Sequence, residues 1–298
     1  MISVTIENTS FCGANCVMCP REQYRFPKEN MEESLFEKIV KQVYEAGIRQ
    51  IDIGGYGDPL TDAGLKEKLH YVKDNYPEMR VAMISTCQLL KGEMADLIAD
   101  KVDDLKISNY GISAASYEAV HRGSLKYEMV HENILKFLER EKRPHVMMAY
   151  LILQGLNDSE IDEWRNYWED KADDIQIWYP HNYAGAKSEF DNTLDYDWSE
   201  TKTCGRPGKD FVFCANGDVT ACCFDFNHNL LIGNIYQESF QEIMEGTKLK
   251  NISEIHEKNV FKGCGLICEH CDQILDRNEA LYYSSNKGFR VGQKSQRA

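Results

Sequence analysis

Eleven cysteines are spread unevenly along this 298-residue chain: positions 12, 16 and 19, then 87, then 204, 214, 222, 223, 264, 268 and 271. The first three form C-x3-C-x2-C. Iron–sulfur clusters are ordinarily held by four cysteines. Three thiolates on one short loop can hold three irons of a cubane and leave the fourth iron open, where a small molecule can chelate. The competing reading is zinc, which normally takes four ligands in two pairs. No fourth candidate lies near Cys19 in the sequence.

The second group is laid out differently. Cys204 is followed by Gly217-x4-Cys222, and Cys264, Cys268 and Cys271 follow in GCGLICEHC. Two hairpin cysteines plus C-x2-C suit a zinc ribbon as well as an iron–sulfur cluster; the three-cysteine site at the other end favours iron–sulfur. Cys87 and Cys214 read as small core residues. Cys264 is an alternative to Cys268 or an additional ligand. Cys223 is adjacent to a ligand candidate. In an extended segment neighbours point to opposite faces, so Cys223 is expected to face away from whatever Cys222 holds.

The elements that must position these groups follow from hydrophobic period and turn residues. Strands are expected at 2–6, 51–53, 80–85, 105–108, 145–153 and 174–179, alternating with helices at 31–46, 65–75, 91–100, 127–140 and 160–171. Alternation of this kind implies parallel pairing with right-handed crossovers. Six units are fewer than the eight of a closed barrel. The expected fold class is therefore α/β, a partial (β/α)6 TIM-like barrel, with a doubly wound sheet as the alternative. After about residue 190 the pattern changes to two short strands around Ala215-Asn216-Gly217-Asp218, a strong turn signal, then a helix at 239–245. We expect a barrel over 1–200, a small iron–sulfur domain over 201–284 and a mobile basic tail over 285–298.

Composition narrows the function classes. The formal net charge of -14 argues against general binding to nucleic acid or to an anionic membrane. No apolar run approaches the roughly 20 residues of a membrane span. No basic region followed by an apolar stretch marks a secretory signal. Clustered cysteines without such a signal suit a reducing, cytoplasmic setting.

FCGANCVMCPR resembles the signature of the radical S-adenosylmethionine (SAM) superfamily and sits, as in that family, after the first strand. The family's aromatic residue before the third cysteine is Met18 here. Gly54-Gly55-Tyr56-Gly57-Asp58-Pro59 resembles the glycine-rich stretch that contacts the SAM amino group, with Asp58 in place of the usual Glu or Tyr56 displacing it. Ser85-Thr86-Cys87-Gln88 stands where many members have Ser-Thr-Asn-Gly. Ser108 and Arg122 resemble the polar pair that binds the SAM carboxylate and ribose. The likeness runs over residues 4–180. It implies that Cys12, Cys16 and Cys19 hold a 4Fe–4S cluster that cleaves SAM to methionine and a 5′-deoxyadenosyl radical, which abstracts hydrogen from an unactivated C–H bond.

The C-terminal cysteines resemble the SPASM and Twitch auxiliary-cluster domains, in the shortened one-cluster form. This implies Cys204, Cys222, Cys268 and Cys271 as ligands of a second 4Fe–4S cluster. The whole arrangement resembles the radical SAM peptide epimerases acting on ribosomally made precursor peptides, in which a cysteine beside the auxiliary-cluster region returns hydrogen. Cys223 matches that donor, and Asp210 is a candidate anchor for a substrate amide. An electron donor such as flavodoxin or ferredoxin is implied. The alternatives are dehydrogenation of a sugar or aminocyclitol alcohol and peptide crosslinking.

Overall fold

The computed structural model describes residues 2–190, 201–274 and 280–285. The expected tail lies outside these residues apart from Ser285. Along the chain run β1 (Ser3–Ile6), α1 (Glu33–Glu45), β2 (Gln50–Ile53), α2 (Leu65–Asn75), β3 (Arg80–Ser85), α3 (Gly92–Lys101) and β4 (Asp104–Ser108). Then come α4 (Ala114–Val120), α5 (Tyr127–Leu138), β5 (His145–Leu151), α6 (Ile161–Glu169) and β6 (Asp174–Trp178). The C-terminal third holds β7 (Asp210–Phe213), β8 (Asp218–Thr220), β9 (Leu231–Asn234), α7 (Phe240–Glu245), α8 (Thr247–Glu257) and β10 (Leu281–Ser284). The six expected β/α units are present, with ends shifted by a few residues. The additional elements are α4, α8, β9 and β10. Among the described residues no helix is long and apolar enough to cross a membrane.

The chain divides into two compact units. The first comprises Met1–Phe11, Pro20–Val81 and His181–Asp276. Its strands are built around β1, which pairs in parallel with β2 on one side and with β7 on the other. β8 and β9 continue antiparallel from β7. β1 is short but deeply held because Val4 and Ile6 alternate into the core. α1 forms because Leu35, Phe36, Ile39, Val40 and Val43 recur at helical spacing and are all buried. It stops at Gly47, whose φ of 84° lies in the left-handed region that glycine enters at little cost. α7 begins at a capping box in which Ser239 and Glu242 satisfy each other's backbone N–H groups.

The second unit comprises Cys12–Cys19, Ala82–Pro180 and Arg277–Ala298. β3, β4, β5 and β6 pair in parallel in that order, and β10 adds antiparallel to β6. Trp164 and Trp168, one turn apart on α6, are fully buried. The Trp164 indole N–H donates to Asn109 Oδ1 at 2.7 Å, so this large apolar ring is buried without stranding its donor.

Candidate active site

In the second unit the loop carrying Cys12, Cys16 and Cys19 is held by backbone bonds. Asn15 N–H donates to Ser124 Oγ at 2.8 Å and Val17 N–H to the Val120 carbonyl at 2.9 Å. Ala14 N–H points back at Cys12 Sγ at 3.4 Å. The loop is tied to the end of α4, where Arg122 takes a left-handed φ of 49°. All three thiols are half-buried. Burial pushes the Tyr110 hydroxyl well above the usual phenol range, with the Cys16 and Cys19 thiols adding to the rise and Ser108 opposing it. Ser108, which ends β4, is buried. Ser85 is buried and accepts from Cys87 N–H at 2.9 Å, so its hydroxyl caps the turn after β3. Met18 is buried. A Cβ at Gly13 would meet Gln88 Oε1 at 2.2 Å, so the segment after β3 packs directly on this loop.

In the first unit the glycine-rich turn follows β2. Gly57 has no room for a side chain, since a Cβ there would stand 1.9 Å from the Thr9 carbonyl oxygen. Asp58 is buried and accepts from Leu60 N–H at 3.1 Å, which makes it the cap of the next turn. Beneath the turn lies Glu7, the residue after β1 and one that the motif reading passed over. Its carboxylate accepts from Tyr56 N–H at 3.1 Å and Ala215 N–H at 3.5 Å. Burial raises its pKa to about 7, against the lowering effect of those two N–H groups and of Arg21. The Arg21 guanidinium bonds the Tyr56 and Ser10 carbonyls. An acidic residue closing a parallel strand was the available signal for Glu7, because functional groups gather at that end of strands in α/β folds.

Cys204, Cys222, Cys268 and Cys271 line one cavity in the first unit, together with Arg206, Phe224, Leu230, His256 and Ile274. Cys264 is not among the lining residues. Burial pushes the Cys204, Cys268 and Cys271 thiols up, Cys271 to about 12. Such groups become anionic only with a strong cationic or hydrogen-bonding partner. Backbone partners are in place. Phe224 N–H meets Cys222 Sγ and Gln273 N–H meets Cys271 Sγ, both at 3.4 Å, and the Arg206 backbone and charge oppose the rise at Cys204. Leu266 N–H meets Cys264 Sγ, also at 3.4 Å. Cys268 has a side-chain partner instead: His256 Nε2 stands 3.4 Å from its sulfur.

The expectation for Cys223 needs correction. β8 ends at Thr220, and residues 222–230 run through successive turns rather than an extended strand. The alternation of an extended strand therefore does not apply to this pair, and each thiol acts on the other's ionisation, pushing Cys222 up and Cys223 down. Cys223 is nevertheless the one exposed cysteine of the eleven. The Arg206 charge acts on both thiols, and its Nε lies 3.7 Å from Asp210 Oδ2. Burial raises the Asp210 carboxyl above its ordinary value. Asp210 opens β7 and is thereby brought into the same neighbourhood as Cys223 through Arg206. The Tyr56, His181, Tyr183 and Phe224 rings pack around this point, with His181 and Phe224 centroids 3.8 Å apart.

Among the described residues no three His, Cys, Asp or Glu side chains converge on a single ion. A four-iron cluster distributes its thiolates over four metal ions, so its ligands line a wall rather than meet at a point. The cavity wall of four cysteines with N–H groups aimed at sulfur fits such a group.

Residues 6–167 match the Radical SAM superfamily and residues 204–272 match SPASM, an iron–sulfur cluster-binding domain. The probable GTP 3′,8-cyclase of Archaeoglobus fulgidus is 26% identical over 165 residues, which is 54% of this chain and 52% of that protein. That of Methanothermobacter thermautotrophicus is 22% identical over 177 residues, 59% and 57% of the two chains. The chain thus spans about half the length of the curated relatives it matches. Three solved structures are similar over most of the chain. BtrN in complex with AdoMet and 2-DOIA covers 95% of this chain and 98% of its own, with a TM-score of 0.61 and 16% identity. Streptococcus suis SuiB bound to precursor peptide SuiA covers 92% and 70%, with 0.69 and 12%. AnSMEcpe with bound AdoMet and Kp18Cys peptide covers 94% and 92%, with 0.63 and 14%. At these identities the likeness shows the fold, and it is the one expected: a partial TIM-like α/β barrel with a small C-terminal iron–sulfur domain. With the superfamily match running through the three-cysteine loop and the glycine-rich turn, the chain belongs to the radical SAM superfamily and is a radical SAM enzyme with a SPASM domain.

Proposed function

We propose that this enzyme converts L- to D-residues in a ribosomally made precursor peptide. The observation that carries the reading is Cys223: it alone of the eleven cysteines is exposed, and it follows Cys222, which lines the four-cysteine cavity. In this reading the barrel spans 1–200, Cys12, Cys16 and Cys19 hold the SAM-cleaving cluster, and Cys204, Cys222, Cys268 and Cys271 hold the auxiliary one. Met18, Gly54, Gly55, Tyr56, Gly57, Asp58, Ser85, Ser108 and Arg122 form the SAM site.

Bound SAM and its cluster supply the deoxyadenosyl radical that takes a Cα hydrogen. The flattened Cα centre then receives a hydrogen atom from the Cys223 thiol on its opposite face, which inverts it. The sulfur-centred radical left on Cys223 regains its thiol with one electron and one solvent proton. Arg206 holds Asp210 nearby, where its carboxylate can accept from a peptide N–H. The aromatic group around Tyr56 shields the reacting centre from water. A flavodoxin- or ferredoxin-type reductant supplies the electrons.

The test is turnover of candidate peptides in heavy water. One solvent deuterium at Cα per D-residue is expected, and Cys223→Ala should cleave SAM while making no D-residue. D-residue formation by that variant would sink the donor assignment. A second reading is alcohol oxidation in a small cyclic substrate, favoured by the near-complete coverage of BtrN. It predicts loss of two hydrogens from the product and no deuterium gain.

A further inference from the structure

His256 is buried on α8, with Phe261 packed edge-on at 4.9 Å between centroids. Its two ring nitrogens have different partners. Nε2 stands 3.4 Å from Cys268 Sγ, and Nδ1 stands 3.1 Å from Thr203 Oγ1. Thr203 is itself fixed: its N–H donates to Asn259 Oδ1 at 2.7 Å, and its hydroxyl oxygen accepts from Gly205 N–H at 3.0 Å. Of the cavity cysteines, 222 and 271 each take a backbone N–H on sulfur. At Cys268 the imidazole stands in that role.

We infer that His256 is a positioning residue that raises the reduction potential of the auxiliary cluster by donating its Nε2–H to the Cys268 sulfur. The inference rests on the proposed reading of Cys268 as a cluster ligand. A metal-bound thiolate has no proton to give, so the hydrogen in the Nε2···Sγ contact must come from the ring. A neutral imidazole with its proton on Nε2 must accept at Nδ1, and Thr203 supplies that hydrogen. The order of donation is Gly205 N–H to Thr203, Thr203 O–H to His256, and His256 N–H to Cys268. A hydrogen bond to ligand sulfur stabilises the more negative, reduced cluster and raises its potential.

The experiment uses the full-length chain, reconstituted with iron and sulfide, with Cys12, Cys16 and Cys19 changed to Ala so that only the auxiliary cluster is observed. Its midpoint is measured by redox titration followed by electron paramagnetic resonance. His256→Leu should keep about four irons and shift the midpoint to lower potential. Thr203→Val should shift it in the same direction by less, and His256→Gln, which can still donate, should restore part of the loss. An unchanged midpoint in His256→Leu with iron retained overturns the inference. If iron is lost in His256→Leu, Thr203→Val decides, and an unchanged midpoint there overturns it. Iron retained in Cys268→Ala but lost in His256→Leu would make the histidine the ligand, and the ligand reading itself would fall.

Discussion

The Tyr56 hydroxyl donates a 2.9 Å hydrogen bond to the carbonyl oxygen of Cys223. One side chain thereby links the glycine-rich turn after β2 to the proposed hydrogen donor. Its ring also contacts Phe226 and Tyr183, and burial keeps its hydroxyl protonated far above neutral pH. Tyr56→Phe removes only the oxygen. A hydrogen bond of this kind is worth about 1 kcal/mol, so the fold should persist. The expected effect is on coupling: D-residue formed per 5′-deoxyadenosine released should fall roughly fivefold, the factor that about 1 kcal/mol represents, with SAM cleavage little changed. Quantifying both products by chromatography checks this. Equal loss of both would show that Tyr56 serves SAM binding alone.

Glu7 predicts a pH dependence of stability. Its carboxyl is raised from 4.5 to about 7 by burial, so the folded chain binds this proton more tightly than the unfolded chain does. The stability it contributes is complete below about pH 4.5 and is lost as pH rises through 7, a change of about 3 kcal/mol. Glu7→Gln cannot ionise. Between pH 5 and pH 8 the variant should gain on the parent by about that amount in denaturant melts. Parallel pH profiles for the two proteins would contradict the assignment.

Gly57 faces backbone, so nothing flexible can yield to a side chain there. A Cβ would stand 1.9 Å from the Thr9 carbonyl oxygen and 2.8 Å from that of Phe11. Gly57→Ala should cost about 3 kcal/mol or more, at the upper end for overpacking. Gly47, where a Cβ meets nothing within 4 Å but φ is 84°, should tolerate Ala at about 1 kcal/mol. Thermal unfolding of the two variants side by side measures the difference.

Cys264 and Cys271 both take a backbone N–H on sulfur, but only Cys271 lines the cavity. After reconstitution the parent should hold about eight irons, two cubanes. Cys271→Ala should fall towards about four, whereas Cys264→Ala should stay near the parent value. Iron and sulfide analysis distinguishes them, and the reverse order would exchange the two ligand assignments.

The β/α alternation was legible because apolar period is a local property: α2 and β3 fall at the expected residues, and α1 differs by two at its start. α4 and α8 were missed because each is short or largely polar, with few positions to set a period. Cys204, Cys222, Cys268 and Cys271 were grouped by resemblance to an auxiliary-cluster domain, with Cys264 left as an alternative, and one cavity collects the four. Glu7, Arg206 and His256 were not, since each acts through partners distant in sequence: Ala215 for Glu7, Cys222 and Cys223 for Arg206, Cys268 for His256. Cys223 was singled out for its position, but the rule of alternating faces does not apply there, because β8 ends at Thr220.

The recurrent amide-to-sulfur bonds at Cys12, Cys222, Cys264 and Cys271 bear on salt tolerance. A chain of net charge -14 is a poor host for further anions if it must rely on surface cations to hold them. Mobile ions weaken exposed charges over about 10 Å at 0.1 M salt, but they cannot reach dipoles locked in a peptide backbone. In the proposed reading, ionic strength should therefore weaken the docking of a positively charged electron carrier long before it loosens the iron.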